Sequence, residues 1–324
     1  MYRHGAVAGT DHNSHKISPA IIAAFLANLG IAFAKIAGFL ATGASSLLAE
    51  GAHSLADTGN QALLILGGRR AQREPDSQHQ FGHAGERFFW AFVVAVVLFT
   101  AGALFALFEG VERLRHPHEL ESAGWAIGIL LVAIVLESLS LRTARREAIS
   151  AKLEDGGSWW AFIRRSKSPE LPVVLLEDTG ALAGLVVALV GVILAEVTGN
   201  PRWDAAGSLA IGALLFVIAL VLGAEMKSLL LGEAASPAQY DALAQAITTA
   251  DPVRRLIHLR TMHLGPDDLL AAGKVEFDPS LDYAELSQAI DAVEARMRAA
   301  VPQTRLIFLE PDSYQGPPPT PSTS

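Results

Sequence analysis

The sequence predicts an α-helical polytopic membrane protein, with six transmembrane helices and a small α+β domain at the C-terminal end. Three observations carry this. The 324 residues are 51% hydrophobic and only 18% charged, where soluble domains are about one quarter charged. Apolar runs of about twenty residues, each enough for a hydrocarbon layer of about 30 Å, recur six times. From Ser236 onward the apolar runs give way to short amphipathic segments.

Residues 1–16 place His4, His12 and His15 among Gly, Ser, Asn and Asp, which cannot bury a core, so this tail is expected to be disordered. The apolar runs fall at 17–40, 45–67, 88–108, 123–141, 173–197 and 205–225, giving a transmembrane domain over 17–232. The first run is too long for the core of a cleavable signal, and no organellar targeting segment stands out. A plasma (inner) membrane is therefore the expected home. Arg69, Arg70, Arg73 and Arg87 follow the second run, and Arg142, Arg145, Arg146, Lys152, Arg164, Arg165 and Lys167 follow the fourth. The opposite connections carry only Arg113, Arg115 and Arg202. The positive-inside rule then puts both termini in the cytoplasm.

In the C-terminal part, Ser236-Pro237 reads as an N-cap with Pro at the first helical position, opening a helix over 237–250. Strand-like runs follow at 256–264 and 269–277, then an amphipathic helix over 283–300 and a strand at 305–309. The order αββαβ predicts a cytoplasmic ferredoxin-like domain over 236–312, and the Pro-rich residues 313–324 are expected to be disordered.

The chain has no cysteine, so disulfides and thiolate metal sites are excluded together. Any metal must be held by His, carboxylate, carbonyl or water. The net charge of −8 and the lack of a basic, aromatic-bearing segment argue against nucleic acid as a partner.

In the second run, Glu50, His53, Asp57 and Asn60 or Gln61 follow steps of three and four, one stripe along a helix. Ionisable groups at membrane depth are costly and mark ion or proton pathways. Imidazole and carboxylate one turn apart suit zinc, so His53 and Asp57 are candidate ligands. The fifth run opens with Glu177 and Asp178 inside apolar sequence. Consecutive residues point about 100° apart, so the two cannot aim at one point without distortion. Glu177 shares its face with the small residues Gly180, Gly184, Ala188 and Gly191, a track that lets helices pack closely. Asp178 is expected to complete the site. Asn28, Lys35, Glu109 and Glu137 are expected to make interhelical hydrogen bonds or lie near a membrane face, and Asp204 to cap the sixth helix.

With these residues in place the chain resembles the cation diffusion facilitators, metal–proton antiporters with six spans and a cytoplasmic ferredoxin-like tail. The likeness covers about residues 17–312 and is strongest at Ala49-Glu50-Gly51-Ala52-His53-Ser54-Leu55-Ala56-Asp57-Thr58. It implies that His53 and Asp57 are ligands, that Asp178 matches the last ligand of the fifth span, and that the protein is a homodimer. The fifth-span partner one turn earlier is here Val174, which cannot bind metal. The run Leu175-Leu176-Glu177-Asp178-Thr179 instead resembles a subgroup that includes eukaryotic mitochondrial zinc transporters. Either Glu177 reaches in, or water, Glu50 or Asn60 supplies the fourth position.

The same likeness marks Asp76, His79 and His83 as a second, loop-borne metal site, with a Phe81-Gly82 turn between them. The alternative is that this loop only anchors the third span and docks the tail. In the tail His258 stands near a metal position of some members, but Phe308 and Glu310 replace two others, so dimerisation rather than metal sensing is expected. His263 is expected at the surface.

Together these readings imply proton-coupled efflux of a divalent cation, zinc foremost, with no prosthetic group. Manganese, iron or cobalt as cargo, or a membrane metal-binding regulator that has lost transport, are the alternatives. An intramembrane metalloprotease would need a His-Glu-x-x-His helix, which the sequence lacks.

Overall fold

The computed structural model describes residues 19–43, 45–117, 123–155 and 158–314. Both expected tails fall outside the described residues, apart from a few residues at 313–314. The apolar runs fold as α1 (Pro19–Thr42), α2 (Ser45–Ala71), α3 (Glu86–Val97), α4 (Phe105–Arg115), α5 (Ala123–Asp155), α6 (Trp159–Arg165), α7 (Glu170–Thr198) and α8 (Arg202–Leu231). A π-helical segment, Leu98–Leu104, joins α3 to α4 in one 30-residue helix. Among the described residues four helices are long and apolar enough to cross a membrane: Glu86–Arg115, Ala123–Arg146, Glu170–Thr198 and Arg202–Leu231. α2 is long enough, but the polar stripe lowers its hydropathy below theirs.

The helices extend past the apolar runs because polar flanks continue the same backbone. α5 runs on to Asp155, well beyond residue 141. α7 lies between α5 and α8, and α2 touches α1, α3, α7 and α8. Their shared core includes Leu98, Leu130, Leu185, Val192, Leu215 and Leu222. The track on α7 is buried as predicted: Gly180 faces Ile218 of α8, and Gly191 lies against the Trp203 carbonyl.

The C-terminal unit follows the predicted αββαβ order: α9 (Pro237–Thr248), β1 (Val253–Gly265), β2 (Asp268–Phe277), α10 (Tyr283–Ala300) and β3 (Thr304–Pro311). The sheet order is β1-β2-β3, with β1 and β2 antiparallel and β2 and β3 parallel across the α10 crossover. Ser236 caps α9 reciprocally with Gln239, and Asp282 caps α10 with Glu285, so both helix starts satisfy donors that the first turn leaves open. Every second residue of β2 is buried, with Leu243, Ile247, Val293 and Met297 from the two helices in the same core.

Two expectations need correction. Asp204 is not the cap of α8; the helix begins at Arg202 after Pro201, which places Asp204 buried in the first turn. His263 is not at the surface. It is buried because the β1–β2 turn folds back on the helical domain, with the His263 amide donating to the Glu233 carbonyl at 2.8 Å.

That joint is held by charge. Arg87 donates through Nε and Nη2 to Glu170 at 2.6 and 3.0 Å, and through Nη1 to Asp267 in the β1–β2 turn at 2.9 Å. Lys167 pairs with Glu233 beside it. One arginine thus ties the start of α3, the start of α7 and the C-terminal domain.

Candidate metal centre

The polar stripe of α2 faces inward. Asp57 is 8% exposed, Asn60 is fully buried, and Gln61 at the edge is half-buried. The side chains of Glu50 and His53 lie outside the described residues; His53 is placed one turn before Asp57 by the helix backbone alone. On α7, Glu177 and Asp178 are 3% and 7% exposed, and Val174 one turn earlier is half-buried.

The two α7 carboxylates diverge, as their 100° offset requires. Glu177 Oε1 accepts from Asn60 Nδ2 at 2.7 Å, linking α7 to α2. Asp178 Oδ2 accepts from Ser140 Oγ at 3.0 Å, linking α7 to α5. Asn60 keeps a second function in reserve, because its buried Oδ1 has no hydrogen-bond partner among the described residues.

Two residues that sequence reasoning placed at the margin belong to this centre. Lys35 of α1, fully buried, donates to Ser54 Oγ at 2.6 Å, the interhelical bond expected of it. It also acts electrostatically on Asp57 and on Glu137 of α5, and Asp57 in turn feels Glu177, Glu137 and Asp178. Four helices, α1, α2, α5 and α7, would have to be paired to foresee this, but a lone lysine in an apolar run was the available signal. Ser140 carried none, since serine is ordinary in helices. Glu109 pairs with Arg113 one turn on along α4 and makes no interhelical bond among the described residues. Asn28 lies outside the described side chains.

The carboxylates of Asp57, Glu177 and Asp178 are electrostatic neighbours without converging to coordination distance. Among the described residues, the one group of three donors lying within 4.8 Å of one another is Asp76, His79 and His83 in the loop before α3. Asp76 Oδ1 accepts the backbone N–H groups of Gln78 and His79, an Asx-type turn, and Gly82 closes the loop at φ +89°, a conformation suited to glycine. His79 Nδ1 lies 3.4 Å from Asp76 Oδ1, and His83 Nε2 lies 3.2 Å from Oδ2. The two imidazoles meet different oxygens of Asp76, and one donor atom from each of the three residues lies within 4.8 Å of the others, a carboxylate–imidazole group that could hold a metal ion. The His79 N–H, then those of Gln78 and the His83 contact, hold the Asp76 carboxyl at about 2, below its ordinary 3.8. It is a ready anion at any physiological pH.

In the tail, His258 accepts from the Lys274 amide at 3.3 Å, and Glu310 pairs with the Lys274 ammonium at 3.1 Å. These side chains are engaged within the sheet.

The sequence model of the cation efflux transmembrane domain matches residues 21–231. The chain belongs to the cation efflux family. The mouse (Mus musculus) protein named proton-coupled zinc antiporter SLC30A9, mitochondrial, is 33% identical over 251 residues, covering 78% of this chain and 43% of its own length. The Xenopus laevis protein of the same name is 34% identical over 270 residues, covering 82% and 48%. The cation-efflux pump FieF of Klebsiella pneumoniae is 25% identical over 292 residues, covering 90% of this chain and 91% of its own. The chain thus spans about half the length of the animal relatives and most of the bacterial one. Family membership makes this a multi-pass membrane protein, and the animal relatives bear out the resemblance to the mitochondrial zinc transporter subgroup.

Proposed function

We propose that this protein is a zinc efflux transporter that exchanges the ion for protons by alternating access. The observation that carries the reading is the burial of Asp57 on α2 with Glu177 and Asp178 on α7, near enough for the three to interact electrostatically. With Glu137 they set four carboxyl groups against one ammonium, Lys35, an imbalance that a divalent cation or protons would offset.

In this reading His53, Asp57 and Asp178 bind the ion, and the Asn60 side-chain carbonyl, with its amide held by Glu177, supplies the position that Val174 leaves open. Glu177 and Asn60 already meet across the helix pair, and Asn60 Oδ1 is available. The ligands must be deprotonated to bind, so proton entry displaces the ion and the two cargoes share one set of groups. Bringing Asp57 and Asp178 to face one point requires α2 and α7 to shift. All six long helices cross the membrane, the loop residues Asp76, His79 and His83 hold a second zinc, and the tail joins two copies. The Lys and Arg bias supports an orientation with both termini cytoplasmic, with the plasma membrane as the proposed home.

The test is zinc flux into proteoliposomes of the full chain under an imposed pH gradient. Asp57→Ala and Asp178→Ala are each expected to cut flux at least a hundredfold; unchanged flux in either would sink the ligand assignment. Stoichiometric zinc binding with no gradient-dependent flux in the wild type would favour the regulator. A metal competition series separates zinc from manganese, iron and cobalt.

A further inference from the structure

The end of α5 carries a feature that transport does not use. The apolar run of this helix ends at Leu141, and the next two turns present Arg142, Arg145 and Arg146 beside the apolar Leu141 and Ile149. With Leu182 of α7 they line an open cavity of about 300 Å³. Residues 142, 145, 146 and 149 follow steps of three and four, so they share one face. Arg142 and Arg146 are exposed and have no ion pair or hydrogen bond among the described residues. Arg145 lies with its guanidinium carbon 5.6 Å from the centre of the Trp159 ring of α6, and Trp160 beside it is exposed. Above the arginines the outer face of α5 is apolar and open at Val132, Val135 and Leu139.

We propose that this cavity binds the phosphate of an anionic phospholipid. Three guanidiniums where an apolar span ends, flanked by tryptophan, match the level of the headgroups. Guanidinium is the side chain best suited to hold phosphate oxygens in pairs. The acyl chains then run along the exposed apolar face of α5, which explains why the pocket is half basic and half apolar. The site touches the transport helices, since Leu182 is one turn beyond Asp178 and α5 holds Asp178 through Ser140. A lipid seated there braces α5 against α7.

The experiment is native mass spectrometry of the full chain released from detergent, with phosphatidylglycerol, phosphatidylcholine of the same acyl chains, or inorganic phosphate added. Phosphatidylglycerol adducts are expected on the wild type, with phosphatidylcholine retained at least tenfold less. Each arginine near a headgroup contributes about fivefold in binding. Arg142→Gln/Arg146→Gln should therefore weaken retention roughly thirtyfold, while Arg298→Gln in the C-terminal domain leaves it unchanged. Arg142→Gln alone, expected to lose about fivefold, reads the same point should the double variant not fold. Equal retention of both lipids, equal retention by the variants, or displacement of the lipid by equimolar inorganic phosphate would overturn the proposal.

Discussion

The α4–α8 crossing makes the sharpest stability prediction. At Gly212 of α8 an added Cβ would lie 2.7 Å from Leu107 Cγ and 2.8 Å from the Leu107 backbone nitrogen. The contact is reciprocal, because a Cβ on Gly110 of α4 would lie 2.9 Å from the Leu209 backbone nitrogen. A side chain could rotate away, but a backbone nitrogen can retreat to an ordinary 3.4 Å only if the helices part, by about 0.6 Å. Overpacking of this kind costs about 1–3 kcal/mol. For a domain of this size that corresponds to a fall in Tm of roughly 2–12 °C for Gly212→Ala. The assay is thermal unfolding of the full chain in detergent, followed by tryptophan fluorescence. Gly223 on the same helix is the control, since nothing lies within 4 Å of its added Cβ. Gly223→Ala should leave Tm unchanged or raise it slightly, through the better helix propensity of alanine. Gly110→Ala combined with Gly212→Ala should cost less than the sum of the two, as both report one crossing. A Gly212→Ala protein as stable as the wild type, or a Gly223→Ala protein as damaged as Gly212→Ala, would refute the close approach.

In the loop, His83→Ala should remove one bound zinc per chain in equilibrium dialysis while the transport-site ion remains, and an unchanged stoichiometry would dismiss the loop site. Asp76 stays ionised down to about pH 2, so its protonation takes no part in zinc binding between pH 7 and 5; Asp76→Asn should weaken loop zinc in the same dialysis, and unchanged affinity would remove this carboxylate from the site. At the joint between domains, burial and then the nearby Lys167 depress the His263 pKa below its usual 6.5. The unfolded chain therefore takes up this proton before the folded one does, and stability should fall as pH drops through about 6.5. Glu233 is depressed below 4.5, by Lys167 against the opposing effect of burial, so its contribution is present above that value and is lost only at lower pH. Thermal unfolding of the full chain between pH 7.5 and 5.5 isolates the histidine: His263→Asn should flatten the slope, and an unchanged slope would remove His263 from the joint.

Much of this protein was legible residue by residue. The cap at Ser236 and the order of helices and strands after it follow from interactions within a few positions of the chain, and the elements formed close to the ranges those patterns gave. The divergence of Glu177 and Asp178 was equally local, because helix geometry alone sets their angle. The π-helical segment at Leu98–Leu104 had no such signal; nothing in its sequence departs from an apolar helix.

What the chain determines by itself is therefore the long helices, the C-terminal αββαβ unit, and the presence of costly ionisable groups inside apolar segments. Their pairing is a different matter. That Asn60 meets Glu177, that Ser140 meets Asp178, that Lys35 joins the carboxylates, and that His263 is sealed under the helical domain are decided only by how helices cross and how the β1–β2 turn docks. Each joins residues far apart in sequence. Hydrophobic periodicity says which face of a helix turns inward, but the partner it meets is chosen by packing over the whole domain.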